Sequence, residues 1–335
     1  LAYATYLGGA GIDSANAVAV DAAFRIYVAG FTASEAFPTT PGAPQISGRS
    51  GWDAIVSVLD PSKSATQSML FSTYFGGTST DVATGIAVDA TGKVYITGST
   101  FSTDYPISDR AYQSNQRGQG DAFVTKFDPA LSGFASILYS TYIGGGGYDV
   151  ASRIVVAPSG DVWVAGVTLS ADFPVTSDAA QSRNAGQGDA FVARLNLNLE
   201  SARQITYATY MGGSGTEMTY GLAVDSVGRA YISGYTLSPD LPVKNSPLQS
   251  AYGGGGSDAF IAAIDPRVSG DAGLVYATYI GGAGTDIAFR VVVDRAGDVS
   301  VGGFTRSHTL PLSGNRIQGA YDGFSAAFLT KLKID

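Results

Sequence analysis

The sequence predicts an all-β fold, a single five-bladed β-propeller with four antiparallel strands in each blade. The first observation behind this prediction is that the opening stretch YATYLGGAGID returns almost unchanged as YATYIGGAGTD at Tyr276–Asp286. The second is that short β-rich runs separated by Gly-containing turns fill each copy, without a helical period. Four antiparallel strands in each repeat are typical of a propeller blade.

One word, Thr-Tyr-x-Gly-Gly, sets the length of the repeat. It occurs five times, at intervals of 68, 68, 68 and 69 residues. Self-similarity at a fixed period is the sequence signature of repeat architectures. The sequence therefore predicts five copies of one structural unit. The tyrosines of the word are Tyr6, Tyr74, Tyr142, Tyr210 and Tyr279.

Four further features recur in the same order inside the units. Gly-x-Thr-x-Ser is followed by a proline, by a glutamine and by Asp-Ala before an apolar run. We expect the repeated Ser, Pro and Gln to pin one long loop, since the Gln amide can bond to backbone groups. The glutamines are Gln45, Gln113, Gln181, Gln249 and Gln318.

Each unit is interpreted as four strands, named a to d from the propeller axis outwards. In the second unit GIAVDATGKVYITG is an a–b hairpin, DAFVTKFD is strand c and SILYSTYIGG is strand d. All five blades are expected in one domain covering residues 1–335. The predicted blades are residues 10–77, 78–145, 146–213, 214–282 and 283–335.

The chain begins with a spare d strand and ends after a c strand. We therefore expect residues 1–9 to pair into the fifth blade as its outer strand, which closes the ring. Closure removes two exposed sheet edges, and exposed edges promote aggregation.

The words TYLGG, AVDATGKVYITGST, DYP and GDAFVTKFDP resemble the SBBP repeat, a bacterial β-propeller repeat found mostly in exported and surface proteins. The resemblance covers nearly the whole chain, and the a–b hairpin is also similar to that of NHL repeats. The family name implies seven blades, whereas five are counted here. The resemblance implies export and a role in display or binding, and it supplies no catalytic residues. Phe24 and Ala326 depart from the pattern, replacing a turn glycine and the strand-c aspartate.

The composition restricts the function classes. The 335 residues carry 20 Lys and Arg against 28 Asp and Glu, a net charge of −8, and no cysteine. A nucleic-acid partner is not expected, because phosphate binding needs clustered Lys and Arg. Disulfides, thiol catalysis and thiolate metal sites are excluded. No apolar run approaches the roughly 18 residues of a membrane span.

The d–a connections and the long b–c loops are predicted at the same face, which we call the loop end of each blade. The a–b and c–d turns lie at the opposite, turn end. Long loops on a rigid scaffold often carry function. We therefore expect a binding site at the loop end.

Two acidic positions repeat at the loop end, 28 residues apart in sequence, and are expected in the same blade. One hypothesis is a Ca²⁺ site, since this ion takes oxygen ligands in flexible geometry. The alternative is that each carboxylate accepts backbone N–H bonds and fixes a turn. No cofactor is required. The candidate metal ligands are Asp53, Asp81, Asp121, Asp149, Asp189, Glu217, Asp258 and Asp286.

The residues just before strand c differ between blades, which makes them candidates for specific recognition. Aromatic and Arg side chains with small polar neighbours suit sugar or peptide surfaces. The alternative is that these residues are tolerant loop tips. The candidate ligand-binding residues are Arg49, Trp52, Arg117, Arg183, Tyr252 and Tyr321.

Two function classes follow from these patterns. The preferred one is a non-catalytic binding or display module of an exported or cell-surface bacterial protein. It would bind a glycan or a protein and be monomeric as an isolated domain. The alternative is a glycoside hydrolase or lyase with acidic residues near the propeller axis. Hydrolysis needs an acid and a base in distinct environments, whereas these acids repeat almost evenly.

Overall fold

The computed structural model of the chain describes residues 2–314, 316–320 and 323–334. Within them, nineteen strands form five antiparallel sheets, and strand order in each sheet follows chain order. The first sheet contains β1 (Asp13–Val20), β2 (Ile26–Thr32), β3 (Asp53–Leu59) and β4 (Met69–Phe75). The second contains β5 (Asp81–Val88), β6 (Val94–Thr100), β7 (Asp121–Phe127) and β8 (Ile137–Ile143).

The remaining three sheets repeat this arrangement. The third contains β9 (Asp149–Val156), β10 (Val162–Thr168), β11 (Asp189–Leu195) and β12 (Ile205–Met211). The fourth contains β13 (Glu217–Val224), β14 (Ala230–Thr236), β15 (Asp258–Ile264) and β16 (Leu274–Ile280). The fifth contains β17 (Asp286–Val293), β18 (Asp298–Thr305) and β19 (Ala326–Lys333).

The chain divides into two compact units. The first comprises residues 2–163, 172–174 and 195–205 and includes the first two sheets. The second comprises residues 164–171, 175–194 and 206 onwards and includes the fourth and fifth sheets.

Neighbouring sheets within a unit pack face to face through apolar side chains. In the first unit Val56 and Phe75 of the first sheet join Ala83 and Ile86 of the second in one buried cluster. A small residue on the first strand of a sheet permits this close packing. A Cβ on Gly85 would lie 3.2 Å from the backbone nitrogen of Ile154 on β9. The second unit has an equivalent cluster between the fourth and fifth sheets.

The a–b hairpins have tight turns in which one residue adopts the left-handed conformation. In the second sheet the Gly92 N–H donates to the Asp89 carbonyl at 2.9 Å, and Gly92 has φ +80°. Glycine adopts positive φ without a steric penalty. Phe24 occupies the same position in the first sheet with φ +60°. The departure from the repeat noted in the sequence therefore falls on a strained backbone position.

The predicted strand in residues 1–9 is not seen. Residues 2–12 form no strand, and the fifth sheet has three strands in the described part of the chain. A single segment becomes a strand only when it forms hydrogen bonds with the edge of a sheet. The pairing of residues 1–9 with the fifth sheet therefore stays a prediction.

Short 3-10 turns that the sequence pattern did not predict precede the outer strands, at Ala65–Ser68, Gly133–Ser136, Ser201–Arg203 and Gly270–Gly273. None of the helices in the described residues is both long and apolar enough to cross a membrane.

Candidate functional site

The tyrosine of Thr-Tyr-x-Gly-Gly fastens the long b–c loop of its own sheet. The Tyr74 hydroxyl donates to the Ser34 carbonyl at 2.7 Å and accepts from the Phe37 N–H at 2.7 Å. Buried backbone groups of a loop need such partners. This contact explains why the tyrosine of Thr-Tyr-x-Gly-Gly and the serine of Gly-x-Thr-x-Ser recur together. The same tyrosine-to-serine bonds are Tyr142–Ser102, Tyr210–Ser170 and Tyr279–Ser238 at 2.7, 2.9 and 2.8 Å.

The repeated glutamine links this loop to the Gly-Gly turn, as expected from the sequence. Gln181 Oε1 accepts from the Gly212 N–H at 3.0 Å, and its Nε2 donates to Asp189 Oδ2 at 2.6 Å. The glutamine thus holds the loop, the turn and one acid together. The equivalent amide-to-carboxylate bonds are Gln113–Asp121 and Gln249–Asp258.

The acid that begins strand a holds the turn before it. Asp81 Oδ2 accepts from the Gly77 N–H at 2.8 Å and from Ser102 Oγ at 2.9 Å. Glu217 occupies this position in the fourth sheet, and its carboxylate accepts equivalent bonds from Gly213 and Ser238. The longer glutamate side chain therefore keeps the structural contacts of the aspartate.

The acid that begins strand c accepts backbone N–H bonds from the long loop. The donors lie four or five residues earlier in the chain, as a turn-fixing carboxylate requires. The bonds to Oδ2 are Arg49–Asp53 at 2.9 Å, Arg117–Asp121 at 3.1 Å, Ala185–Asp189 at 2.9 Å and Gly253–Asp258 at 2.6 Å.

The two acids of each predicted pair belong to adjacent sheets, which corrects the expectation that they share a blade. Asp53 begins β3 of the first sheet, whereas Asp81 begins β5 of the second. The reason is that the d–a connection leaves one sheet and enters the next. A Cβ on Gly76 would lie 2.5 Å from Asp53 Oδ1 and 2.5 Å from Asp81 Oδ2. Both carboxylates therefore converge on one glycine. Gly144 lies in the same way between Asp121 and Asp149, and Gly212 between Asp189 and Glu217.

Burial raises the pKa of several of these acids, and the charge of the facing carboxylate adds to the effect at Asp81, Asp121, Asp189 and Asp258. The pKa of Asp121 is raised to about 6 by burial and by the charge of Asp149. The pKa of Asp189 is raised to about 7 by burial and by the charge of Glu217. Burial also raises the pKa of Asp81 and of Asp258 to about 6. Desolvation and a like charge both disfavour the ionised form.

Asp13 begins β1 and is the internal contrast to these pairs. Ala326 stands where its partner acid would be in the repeat. Asp13 accepts hydrogen bonds from Thr32, Gly9 and Ser34, which outweigh burial and lower its pKa. The same backbone position therefore ionises readily when its carboxylate is less buried and has no facing acid.

The acid pairs offer two carboxylates each. Within residues 2–314, 316–320 and 323–334 there is no group of three or more His, Asp or Glu side chains that could hold a metal. The hydrogen bonds described above support the turn-fixing interpretation. The Ca²⁺ interpretation stays a prediction.

Trp52 is the predicted ligand-binding residue with the most developed surroundings. Its ring stacks on Phe31 with a centroid separation of 4.5 Å and an interplanar angle of 12°, and its residue is 40% exposed. Arg49 on the same loop forms an ion pair with Asp104 at 3.1 Å. The loop therefore presents the half-exposed indole ring of Trp52 and an arginine whose charge is paired with a carboxylate.

The other predicted ligand residues have different surroundings. Arg117 and Arg183 are exposed on their own loops. Tyr252 packs edge-on against Tyr279, with centroids 6.0 Å apart. Tyr321 lies outside the described residues.

Sequence reasoning missed a second aromatic pair at the loop end. Phe101 stacks on Tyr148 with centroids 5.3 Å apart and an interplanar angle of 25°, and Phe101 is 40% exposed. The signal was present in the variable residue between the Thr and Ser of Gly-x-Thr-x-Ser. That residue is Ala33, Phe101, Leu169, Leu237 or Arg306 in the successive units.

Five antiparallel sheets built from one repeat make the chain a β-propeller repeat protein. Two stretches, residues 70–106 and 206–242, match the family model of the SBBP Beta-propeller repeat. The chain therefore carries SBBP-type repeats, as the resemblance implied. Each matched stretch runs from the last strand of one sheet through the first two strands of the next, from the first sheet into the second and from the third into the fourth.

No curated protein matches the chain in sequence. Among solved structures, it is similar to virginiamycin B lyase from Staphylococcus aureus, with 8% identity, 95% of this chain and 69% of that chain covered, and a TM-score of 0.40. It is also similar to the polysaccharide lyase Uly1, with 9% identity, coverage of 98% and 73%, and a TM-score of 0.46. A gluconolactonase from Xanthomonas campestris gives 13% identity, coverage of 92% and 86%, and a TM-score of 0.33. Similarities this distant do not decide a function.

Proposed function

We propose that this chain is a non-catalytic binding module that engages a glycan through the loop end of its first two sheets. The observation that supports this proposal is the pair of half-exposed aromatic stacks, Phe31–Trp52 and Phe101–Tyr148. Aromatic rings supply large, rigid contact area at a low cost in side-chain entropy.

The two stacks lie on either side of one dipeptide. The Trp52 carbonyl accepts from the Asp81 N–H at 2.6 Å, and the Phe101 N–H donates to the Thr80 carbonyl at 2.9 Å. These backbone bonds place Trp52 and Phe101 on opposite sides of the same peptide unit at the loop end. We call the four rings the aromatic row.

The surroundings of the aromatic row favour a neutral sugar over an ionic partner. Hydroxyl side chains flank it, including Ser50, whose Oγ donates to the Thr78 carbonyl at 2.6 Å. The nearby guanidinium of Arg49 is paired with Asp104. Flat rings with neutral hydroxyl neighbours suit pyranose rings, which present C–H groups on their faces and hydroxyls at their edges.

The acids of the loop end support binding without catalysis. A hydrolase needs an acid and a base whose environments differ. Here the acids begin equivalent strands and accept equivalent hydrogen bonds, as Asp81 and Glu217 illustrate. We propose that they are structural, and that the module belongs to an exported or surface protein and is monomeric as an isolated domain.

Capture on immobilised polysaccharides tests the proposed function. We expect Trp52→Ala and Phe101→Ala to weaken retention at least about tenfold without unfolding the protein, because changes at exposed positions usually cost little stability. Leu237→Ala is the matched control, since Leu237 occupies the repeat position of Phe101 in the fourth sheet and is 44% exposed. Glycoside turnover that Glu217→Gln abolished would instead establish a hydrolase or lyase.

We also propose that residues 1–9 supply the missing outer strand of the fifth sheet and so close a five-bladed ring. Tyr6 has the repeat position of Tyr74 but is fully exposed, whereas Tyr74 is buried. Tyr3 makes the contact expected of an outer strand, with its hydroxyl 3.2 Å from Ser68 Oγ. The corresponding bond two repeats further on joins Tyr139 to Gln204 at 2.7 Å.

Truncation tests the closure. Without residues 1–9, we expect a lower melting temperature and concentration-dependent association, because β19 keeps an unpaired edge. Size-exclusion chromatography with light scattering measures the association. A truncated protein that remained monomeric with an unchanged melting temperature would rule the closure out.

A further inference from the structure

A cleft of about 220 Å³ opens in the second unit, beside the Gly-Gly turn that follows β12. Its walls combine buried apolar side chains with polar groups near the surface. The residues that the argument uses are Ala185, Met211, Asp240, Pro242, Ile264 and Leu274.

The equivalent position between the first and second sheets is filled by aromatic rings. Phe75 packs edge-on against Tyr105 and Phe127, with centroids 5.1 Å and 4.8 Å away. At the cleft, the repeat places smaller side chains at all three positions. The replacements are Met211 for Phe75, Leu241 for Tyr105 and Ile264 for Phe127. Because Met211 and Ile264 line the cleft, the lost ring volume accounts for part of the open space.

The same comparison reveals a missing positive charge. Between the first and second sheets, the Arg49 guanidinium lies 3.1 Å from the Asp104 carboxylate. The repeat equivalents are Ala185 and Asp240, and both line the cleft. Asp240 Oδ1 accepts from the Ser214 N–H and Oγ at 2.8 Å. No described Lys or Arg forms an ion pair with Asp240.

Asp240 is ionised at neutral pH. Hydrogen bonds from the Ser214 backbone and side chain lower the pKa of its carboxyl. Compared with the contact between the first and second sheets, the cleft therefore lacks the three-ring cluster and the cation at the Arg49 position. Tyr210 lines the cleft, and Asp271, which also lines it, is paired with Lys244 at 2.6 Å.

We propose that the cleft binds a small flat apolar ring bearing a cationic amine, with the ring inside the cleft and the amine at the Asp240 carboxylate. Drug-sized ligands need pockets of roughly 300–1,000 Å³, so this cleft selects a small ligand. The site is separate from the aromatic row of the first two sheets.

Titration with benzylamine, benzyl alcohol and benzoate tests the proposal. The three probes share a ring and differ in charge. We expect benzylamine to give saturable chemical-shift changes at cleft residues, with an affinity about tenfold above that of benzyl alcohol, and benzoate to be weakest. Asp240→Asn should remove the preference for the amine while leaving the alcohol unaffected. Equal binding of all three probes, or no saturable change with benzylamine, would overturn the proposal.

Two variants restore, inside the cleft, the groups found between the first and second sheets. Met211→Phe restores the ring, and Ala185→Arg restores the cation at an exposed position that does not endanger folding. Each should raise the melting temperature and weaken benzylamine binding at least about tenfold. Arg183→Ala, on the same loop, is the control and should leave binding unchanged. Undiminished benzylamine binding in Ala185→Arg would contradict the assignment even if Met211→Phe did not fold.

Discussion

Facing acids such as Asp121 at the loop end and acids such as Asp265 at the turn end have pKa values shifted in opposite directions. At the turn end Asp265 lies beside Arg267, whose hydrogen bond lowers the pKa of Asp265 to about 2. Asp21 similarly accepts from Arg25 Nε at 2.6 Å. At the loop end Asp121 is buried and faces Asp149, which raises the pKa of Asp121 to about 6.

Acidic residues therefore have different structural roles at the two ends of the sheets. The turn-end acids close tight hairpins and are compensated by neighbouring cations and N–H groups. The loop-end acids hold long loops through hydrogen bonds but leave buried carboxylate oxygens facing one another. Asp53 Oδ1 and Asp189 Oδ1 are among the buried atoms that receive no hydrogen bond from the described residues. Perturbing the two ends should therefore change stability by different amounts and with different pH dependence.

The largest expected effect follows from adding one methyl group between the facing acids. In Gly76→Ala the new Cβ would lie 2.5 Å from oxygens of both Asp53 and Asp81. Moving these carboxylates disrupts hydrogen bonds that hold two loops. We expect the free energy of unfolding to fall by about 3 kcal/mol, measured by urea denaturation.

The matched change at the turn end is Gly92→Ala. Gly92 has φ +80°, so alanine there pays the cost of the left-handed conformation, about 1 kcal/mol. If Gly76→Ala and Gly92→Ala lowered the free energy of unfolding equally, the claim that the acids confine Gly76 would be contradicted.

A pH series should show the next largest effect. A carboxyl whose folded pKa is raised stabilises the fold below its unfolded pKa of about 4, and that contribution is lost as pH rises through the folded value. With folded pKa values of about 6 for Asp121 and about 7 for Asp189, the melting temperature should fall by several degrees between pH 5 and pH 8. Asp189→Asn should flatten this dependence.

Asp89→Asn is the turn-end control. Hydrogen bonds from Thr91 and Lys93 outweigh burial and lower the pKa of Asp89, so its contribution is lost only as pH falls below about 4. Asp89→Asn should lower the melting temperature similarly at pH 5 and pH 8.

We expect EDTA and millimolar calcium to leave the melting temperatures of the pH series unchanged, since Ca²⁺ takes six to eight oxygens. A melting temperature at pH 8 that calcium restored and EDTA did not would establish a metal site.

The sequence predicted the strands, the repeat period and the end of each sheet that carries the long loops, because spacing fixes strand order. The expectation that paired acids such as Asp53 and Asp81 share a blade was wrong, although the predicted blade bounds, residues 10–77 and 78–145, already separate them. Of the aromatic row, only Trp52 was predicted. The stacking of Phe31 on Trp52 depends on the register of β2 against β3, which pairs Thr32 with Asp53 and is set by the fold.

The smallest expected effect is a gain in stability at the turn end. Phe24 has φ +60° and is 78% exposed, whereas Gly92 at the equivalent position has φ +80°. Left-handed backbone costs an L-residue roughly 1–2 kcal/mol, and glycine loses part of that benefit through its greater freedom in the unfolded chain. Phe24→Gly should therefore raise the free energy of unfolding by about 0.5–1 kcal/mol in urea denaturation. Phe24→Ala, which keeps the backbone strain and removes the ring, should bring no such gain. A loss of stability in Phe24→Gly would instead show that the exposed ring contributes more than the strain costs.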